Sequence, residues 1–169
     1  MKINVASLRK NEGSSARFEF GEALPPIQIG DGEYSFQSPV KVTLNVTKSG
    51  KSLLVKGKVL SELNVHCSRC LKEFTYPLSF DFEDEWLPVE AATQDEEGTA
   101  LIFDKDEFSI EERIVEHILL HLPMKFLCSE DCRGLCPKCG VDRNLNTCVC
   151  SDETIDPRLE ILSKWNKGV

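Results

Sequence analysis

The sequence predicts an α+β protein, built from an antiparallel β-sheet that can curl into a partial barrel and one or two packed helices. Apolar and polar residues alternate along residues 40–46 and 53–65, the period-2 pattern of strands with one buried face. From residue 109 the apolar residues recur at helical spacing instead. Eight cysteines, six of them within residues 128–150, add a Cys-rich C-terminal segment.

The sheet is expected within residues 1–88. A turn sequence with Gly50 separates the two long alternating stretches and predicts a β-hairpin. The second stretch leads into Cys67, and alternation returns at residues 74–82, so Cys67 and Cys70 are expected on a turn between antiparallel strands. Pro77 indicates an edge strand or a bulge. Short strand candidates are residues 17–20, 27–29 and 100–103.

One helix is predicted at about residues 109–122. Ser109 and Glu112 have the spacing of a capping box, and Pro123 ends the helical pattern. A second, short helix is expected at residues 157–166. These elements suggest a β-rich part, residues 1–125, with an acidic loop at about 88–98, and a Cys-rich zinc-binding part, residues 126–169, packed on the first.

Charge is distributed unevenly along the chain, whose net charge is −8. Residues 81–112 hold thirteen acidic residues against one base, Lys105, which gives −12 for that segment. This argues against indiscriminate binding to phosphate backbones, so any RNA contact requires a local basic face. We interpret the acidic segment as a solvated, partly disordered loop; the alternative is a contact for a basic protein.

The pattern of the N-terminus predicts no signal peptide, and no run approaches the roughly 18 apolar residues of a membrane span. We therefore expect a cytoplasmic protein without membrane association. In a reducing compartment, clustered cysteines more often bind metal than form structural disulfides.

The cysteine spacing predicts zinc binding, because Zn²⁺ takes four thiolates tetrahedrally. Cys-x-x-Cys occurs twice, and Gly140 after the second pair suits the left-handed turn of a zinc knuckle. The favoured partition is two sites, with one or two zinc ions per chain; the alternatives are a single site or shuffled pairs. The candidate ligands of the first site are Cys67, Cys70, Cys128 and Cys132, and those of the second are Cys136, Cys139, Cys148 and Cys150.

Other chemistry is less favoured by the sequence. Cys-x-x-Cys is also the thioredoxin-type motif, but Cys67 follows a predicted strand rather than opening a helix. His66, His117 and His121 are weaker ligand candidates, and no nucleophile, phosphate-loop or dinucleotide motif is present. Since a zinc ion with four thiolates has no open position for water, we predict structural metal and no enzymatic activity.

The Cys67-Ser68-Arg69-Cys70-Leu71 turn and the block Gly134-Leu135-Cys136-Pro137-Lys138-Cys139-Gly140 resemble the YceD-type large ribosomal RNA subunit accumulation protein family. The resemblance spans roughly residues 1–150. It implies a non-enzymatic factor that supports synthesis, processing or accumulation of large-subunit ribosomal RNA in bacterial ribosome biogenesis. The partner it implies is this RNA or a pre-ribosomal particle.

Six bases lie among the cysteines and are candidates for binding RNA or a partner: Arg69, Lys72, Lys125, Arg133, Lys138 and Arg143. The alternative is that they only compensate the charge of the thiolate sites. A basic ribosomal protein is a further possible partner. The runner-up function is a zinc-ribbon adaptor, and a thiol redox protein is the least favoured; the sequence does not specify an oligomeric state.

Overall fold

The computed structural model describes residues 1–29, 32–92 and 100–150, together with Arg158. In this part of the chain no helix has the length and apolar character needed to cross a membrane. The elements in chain order are β1 (Lys2–Asn4), α1 (Ala6–Lys10), β2 (Ser15–Glu22), β3 (Ile27–Ile29), β4 (Gly32–Phe36), β5 (Val40–Ser49), β6 (Ser52–His66), β7 (Glu73–Pro88), α2 (Val89–Ala92), β8 (Leu101–Phe103), β9 (Glu107–Ser109) and α3 (Glu111–His121).

The long antiparallel hairpin of β6 and β7 is the centre of the fold. Its register runs from Leu53 opposite Trp86 to His66 opposite Glu73. On its other side β6 pairs first with β5, through the predicted turn at Gly50 (φ 55°), and then with β4. The sheet is therefore mostly antiparallel, with β8 added parallel to the end of β7.

The mostly antiparallel sheet agrees with the predicted α+β class, and within the described residues it does not close into a barrel. In the path β2-β5-β6-β4-β3, the strands β2 and β3 are edges. Strand β7 pairs with β6, and β8 covers only Trp86 to Pro88 of its other side. Pro77 lies on this uncovered stretch, where the missing N–H disrupts no strand pairing.

One face of the sheet carries the hydrophobic core and the other is solvated. Val42, Val55 and Val59 alternate with exposed residues along their strands, as the sequence predicted. Helix α3 buries Ile114 and Ile118 against the same cluster. Strands β1 and β9 pair with each other and also contribute to this core.

The predicted capping box does not form. Ser109 belongs to β9, because Lys2 of β1 pairs with it, and α3 begins at Glu111 after Ile110. The Ser109 hydroxyl donates to the Met1 carbonyl (3.2 Å) and accepts from the Glu111 N–H (3.4 Å). Pairing with a distant strand thus replaces the local cap. The helix predicted at residues 157–166 lies outside the described residues except for Arg158.

Much of the acidic segment is ordered structure, which corrects its interpretation as a solvated loop. Its residues contribute to β7, α2, β9 and α3, and residues 93–99 are outside the described part. Residues 88–92 were expected to open the acidic loop. In the structure Pro88 instead ends β7 and residues 89–92 form α2. Several of its carboxylates form ion pairs, including Asp106 with Arg9 (2.8 Å) and Glu83 with Lys56 (2.8 Å).

Asp84 joins β7 to α3 through a buried ionic cluster. Its side chain is 4% exposed and accepts two hydrogen bonds from Arg113, at 3.0 and 2.6 Å. His117 Nε2 lies 2.9 Å from the same carboxylate, and its ring stacks on Phe82 at 4.1 Å. Burial raises the pKa of Asp84, but the hydrogen bonds and charges of Arg113 and His117 outweigh it and hold the pKa below its usual value.

We predict that Asp84→Asn lowers the free energy of unfolding at neutral pH by about 2 kcal/mol, because Arg113 loses its charged acceptor. A carboxylate with a depressed pKa stabilises the fold above the ordinary Asp pKa and loses that effect as the pH falls through its folded value. The stability gap between wild type and variant should therefore shrink below about pH 4 in chemical unfolding experiments. Asp81→Asn on the exposed face is the matched control; a gap that stays constant to about pH 2 contradicts the assignment.

Gly57 is required by close packing within the central hairpin. A Cβ atom at this position would overlap the ring of Phe82 on the neighbouring strand. We predict that Gly57→Ala lowers the free energy of unfolding by about 1–3 kcal/mol. Gly21→Ala on β2, where an added Cβ meets no atom within 4 Å, should change it by less than about 0.5 kcal/mol. If urea unfolding gave equal changes in unfolding free energy for the two variants, strand propensity rather than the contact with Phe82 would explain them.

Candidate metal centres

The first Cys-x-x-Cys pair is a knuckle at the end of the central hairpin. The Cys67 N–H donates to the Lys72 carbonyl and the Leu71 N–H donates to the Cys67 carbonyl, both at 2.9 Å. Leu71 has φ 61°, the left-handed conformation that closes the turn. The Arg69 N–H points to Cys67 Sγ at 3.5 Å. The backbone therefore turns Cys67 and Cys70 to one side.

The second pair repeats this geometry. The Cys136 N–H donates to the Val141 carbonyl and the Gly140 N–H to the Cys136 carbonyl, again both at 2.9 Å. Gly140 has φ 72° at the position that Leu71 occupies in the first knuckle. The sequence indicated this left-handed turn only at Gly140, because leucine carries no signal for it.

The chain after α3 returns to the first knuckle. The Ser68 N–H donates to the Phe126 carbonyl (2.8 Å), and the Phe126 ring packs between Tyr34 and Tyr76, with centroids 5.4 and 5.2 Å away. This contact places Cys128 beside Cys70. The structure thus brings together cysteines that are about sixty residues apart in sequence.

The eight sulfurs form two groups of four, divided as in the two-site partition. Within each group all sulfurs lie within 4.8 Å of one another. The closest pairs are Cys67–Cys132 (3.7 Å) and Cys70–Cys128 (3.6 Å) in the first group, and Cys139–Cys148 (3.5 Å) and Cys136–Cys148 (3.4 Å) in the second. A tetrahedral Zn–S₄ site with bonds of roughly 2.3 Å has sulfurs about 3.8 Å apart. Both groups can therefore hold a metal ion.

The thiols in each group differ in acidity. Burial raises the pKa of Cys67, but N–H groups of Cys128, Cys70 and Arg69 outweigh it and lower the pKa to about 6. In the second group, N–H groups of Cys139 and Lys138 lower the pKa of Cys136 to about 6. The neighbouring sulfurs, Cys70 foremost, raise the pKa of Cys128 to about 12. A metal ion binds thiolates and has to displace the thiol protons. Lowering the pH therefore weakens metal binding.

The two groups are joined by contacts that the sequence did not reveal. The Arg69 carbonyl accepts from Leu135 N–H (3.0 Å), and a Cβ on Gly134, which has φ 70°, would lie 2.9 Å from that carbonyl oxygen. Asn144 donates to Cys132 Sγ (3.5 Å) and accepts from Arg133 N–H (2.7 Å). The loop of the second group thus helps to hold a sulfur of the first.

The six candidate bases occupy different environments. The Arg69 guanidinium donates to the carbonyls of Cys132 (2.8 Å) and Glu130 (3.4 Å), and Arg143 Nη2 lies 3.8 Å from Cys136 Sγ. These two side chains brace the cysteine loops. Arg143 is half-buried, whereas Arg69 is exposed, as are the other four residues: Lys72, Lys125, Arg133 and Lys138. His117 and His121 lie on α3, where their rings stack on Phe82 and Phe80.

A protein-family model described as "Large ribosomal RNA subunit accumulation protein YceD" matches residues 55–165, more than half of the chain and all eight cysteines. The chain belongs to the YceD family. The resemblance inferred from the two Cys-x-x-Cys motifs is confirmed. The family is described by the accumulation of an RNA rather than by a reaction.

Two relatives match most of this chain at low identity. An uncharacterized protein of Mycobacterium tuberculosis is 26% identical over 147 residues, which are 83% of this chain and 70% of the relative. A chloroplastic protein of Arabidopsis thaliana named "Large ribosomal RNA subunit accumulation protein YCED homolog 1" is 23% identical over 152 residues, 73% of this chain and 47% of the relative. No solved structure matches the chain significantly.

Cysteine substitutions in the two groups should destabilise different parts of the chain. Cys132→Ser is expected to lower the free energy of unfolding by at least about 2 kcal/mol and to reduce amide protection in β6 and β7, because the first group is tied to their hairpin. Cys148→Ser should reduce protection mainly within residues 136–150. Hydrogen exchange resolved by segment measures both; equal global loss would contradict the separate roles.

Proposed function

We propose that this YceD protein is a non-enzymatic factor that supports the synthesis, processing or accumulation of large-subunit ribosomal RNA. The observation that carries the proposal is the family match over residues 55–165, which includes both cysteine groups. The chloroplastic relative named for the same role supports it. We place this activity in a reducing compartment, the bacterial cytoplasm, where the thiols remain available for metal.

We further propose that both cysteine groups hold zinc, and that the metal is structural. Four thiolates fill the tetrahedral coordination of Zn²⁺ and leave no position for a reactive water. The proposed ligands are the four sulfurs of each group. In the first group they fasten the segment after Phe126 to the end of the β6–β7 hairpin, and in the second they close the loop of residues 136–150.

The proposed RNA contact is the set of exposed bases around the two knuckles, which we call the knuckle bases: Lys72, Lys125, Arg133 and Lys138. Arg69 and Arg143 belong to the same surface but have bracing roles. In a chain of net charge −8, a local basic face held on rigid loops provides phosphate contacts that the overall charge of the chain does not.

An adaptor for a basic protein is the second candidate function. Asp81, Glu83 and Glu85 are exposed at alternate positions on the solvated face of β7. This row can attract a basic ribosomal protein. However, Glu83 is already paired with Lys56 at 2.8 Å, so the row is partly neutralised within the sheet. We therefore rank the RNA contact first.

The function is tested by depleting the protein from its host and restoring it with tagged variants. Depletion should lower large-subunit ribosomal RNA relative to small-subunit RNA, and the tagged wild type should copurify with large-subunit RNA after crosslinking. Replacing the four knuckle bases with Ala should weaken RNA binding at least about tenfold, because each phosphate contact contributes to the salt-dependent affinity.

A matched control removes the same charge elsewhere, by substituting Ala for Arg17, Lys41, Lys56 and Lys58 on the outer sheet face. This variant should retain the copurified RNA. Equal loss in both variants would indicate general electrostatics rather than a knuckle contact. Unchanged RNA levels after depletion would contradict the proposed function itself, and copurification of a basic protein without RNA would favour the adaptor.

A further inference from the structure

The two cysteine groups differ in their access to solvent. In the first group Cys67, Cys70 and Cys132 are buried, with exposures of 0%, 7% and 4%. In the second group only Cys136 is buried, and Cys139 is exposed. A reagent in solution therefore reaches the second group directly at Cys139.

The exposed sulfur has a partner in position for disulfide formation. Cys139 Sγ lies 3.5 Å from Cys148 Sγ, and a disulfide bond is about 2.05 Å long. A movement of about 1.5 Å therefore converts the contact into a bond. The eight residues between these cysteines form one surface loop, and no strand pairing of the main sheet involves them.

The second group is also separable from the rest of the fold. All four of its cysteines lie within residues 136–150, whereas the first group joins the β6–β7 hairpin to the segment after α3. The hairpin register and the closure of the first group by Cys67, Cys70, Cys128 and Cys132 involve no residue of this loop. Contacts near the first group that loss of order would disturb include those of Leu135 with Arg69 and of Asn144 with Cys132 and Arg133.

We propose that the second group is a peroxide-sensitive modification site, at which Cys139 is oxidised and Cys148 completes a disulfide. The proposal rests on the proposed occupancy of this group by zinc. Thiolate character and exposure determine which cysteine an oxidant attacks, and a neighbouring sulfur makes the oxidation reversible.

The reaction balances with hydrogen peroxide as the oxidant. The Cys139 thiolate attacks one peroxide oxygen, the O–O bond breaks, and sulfenic acid and hydroxide are formed. The Cys148 thiolate then attacks the Cys139 sulfur, the S–S bond forms, and a second hydroxide leaves. Two electrons pass from the two sulfurs to peroxide. Of the four proposed ligands only Cys136 and Cys150 would then remain, and two sulfurs would not retain the ion.

Oxidation would alter a surface that the loop builds. Arg133, Arg143, Asn144, Asn146 and Thr147 line a groove of about 410 Å³ beside Cys148 and Cys150. Loss of the metal removes the closure that holds these side chains together. The loop and its groove change while the first group keeps the sheet and helix α3 assembled.

The test uses the full chain loaded with zinc and treated with hydrogen peroxide. Metal analysis before treatment should give two zinc ions per chain; a lower value would count against the proposed zinc occupancy rather than against the oxidation. A colorimetric chelator should then register one ion leaving at least about tenfold faster than the other. Peptide mapping should find the Cys139–Cys148 disulfide, and dithiothreitol with added zinc should restore two ions.

Cys139→His tests the assignment because histidine can replace a thiolate at zinc but cannot form the disulfide. This variant should lose its second ion at least about tenfold more slowly, and the matched Cys70→His in the first group should leave the fast phase unchanged. If Cys139→His does not bind a second ion, mapping of the wild-type disulfide still decides the question. Release of both ions at one rate, release of neither, or a disulfide within the first group would overturn the proposal.

Discussion

The pairing of β6 with β7 is the constraint on which the rest of the structure depends. Its register is continuous from Leu53–Trp86 to His66–Glu73. Because side chains alternate along a strand, one register fixes both the core face and the direction of every residue on it. It places Cys67 and Cys70 at the end of the hairpin and turns Asp84 toward α3, so the metal knuckle and the helix anchor are set by the same strand pair.

The two knuckles have the same backbone geometry but different structural surroundings. Each has the same pair of hydrogen bonds and a positive φ after its second cysteine, at Leu71 and Gly140. The first lies on a strand pair and receives Cys128 and Cys132 from a distant segment, so its metal would support long-range contacts. The second closes on its own loop. If both groups hold metal as proposed, the separation of the ligands along the chain, rather than the ligand type, would determine how much of the structure depends on each ion.

The sequence predicted what depends on local pattern and missed what depends on distant partners. The hairpin at Gly50 and the strand to Cys67 follow from alternation, and the division of the cysteines follows from their number, since eight thiols make two sets of four. The capping box failed because β1 pairs with Ser109. The sequence did not indicate that Asp84 is buried, because its neighbours in sequence are exposed acids and its partner Arg113 lies on another element. Likewise, the residues next to Arg69 in sequence gave no indication that its guanidinium donates to the Cys132 carbonyl.

The bracing contacts of Arg69 and Arg143 also place positive charge beside the two cysteine groups. A four-thiolate zinc centre carries two negative charges, since four thiolates outweigh the divalent ion. Arg69 and Arg143 direct guanidinium groups to the backbone and sulfur of the cysteine loops, where they offset this charge and hold the loops. The four knuckle bases are exposed beside these loops. In the proposed function, Arg69 and Arg143 would compensate the charge of the zinc sites while the knuckle bases would contact phosphate, so the two roles would fall to different side chains.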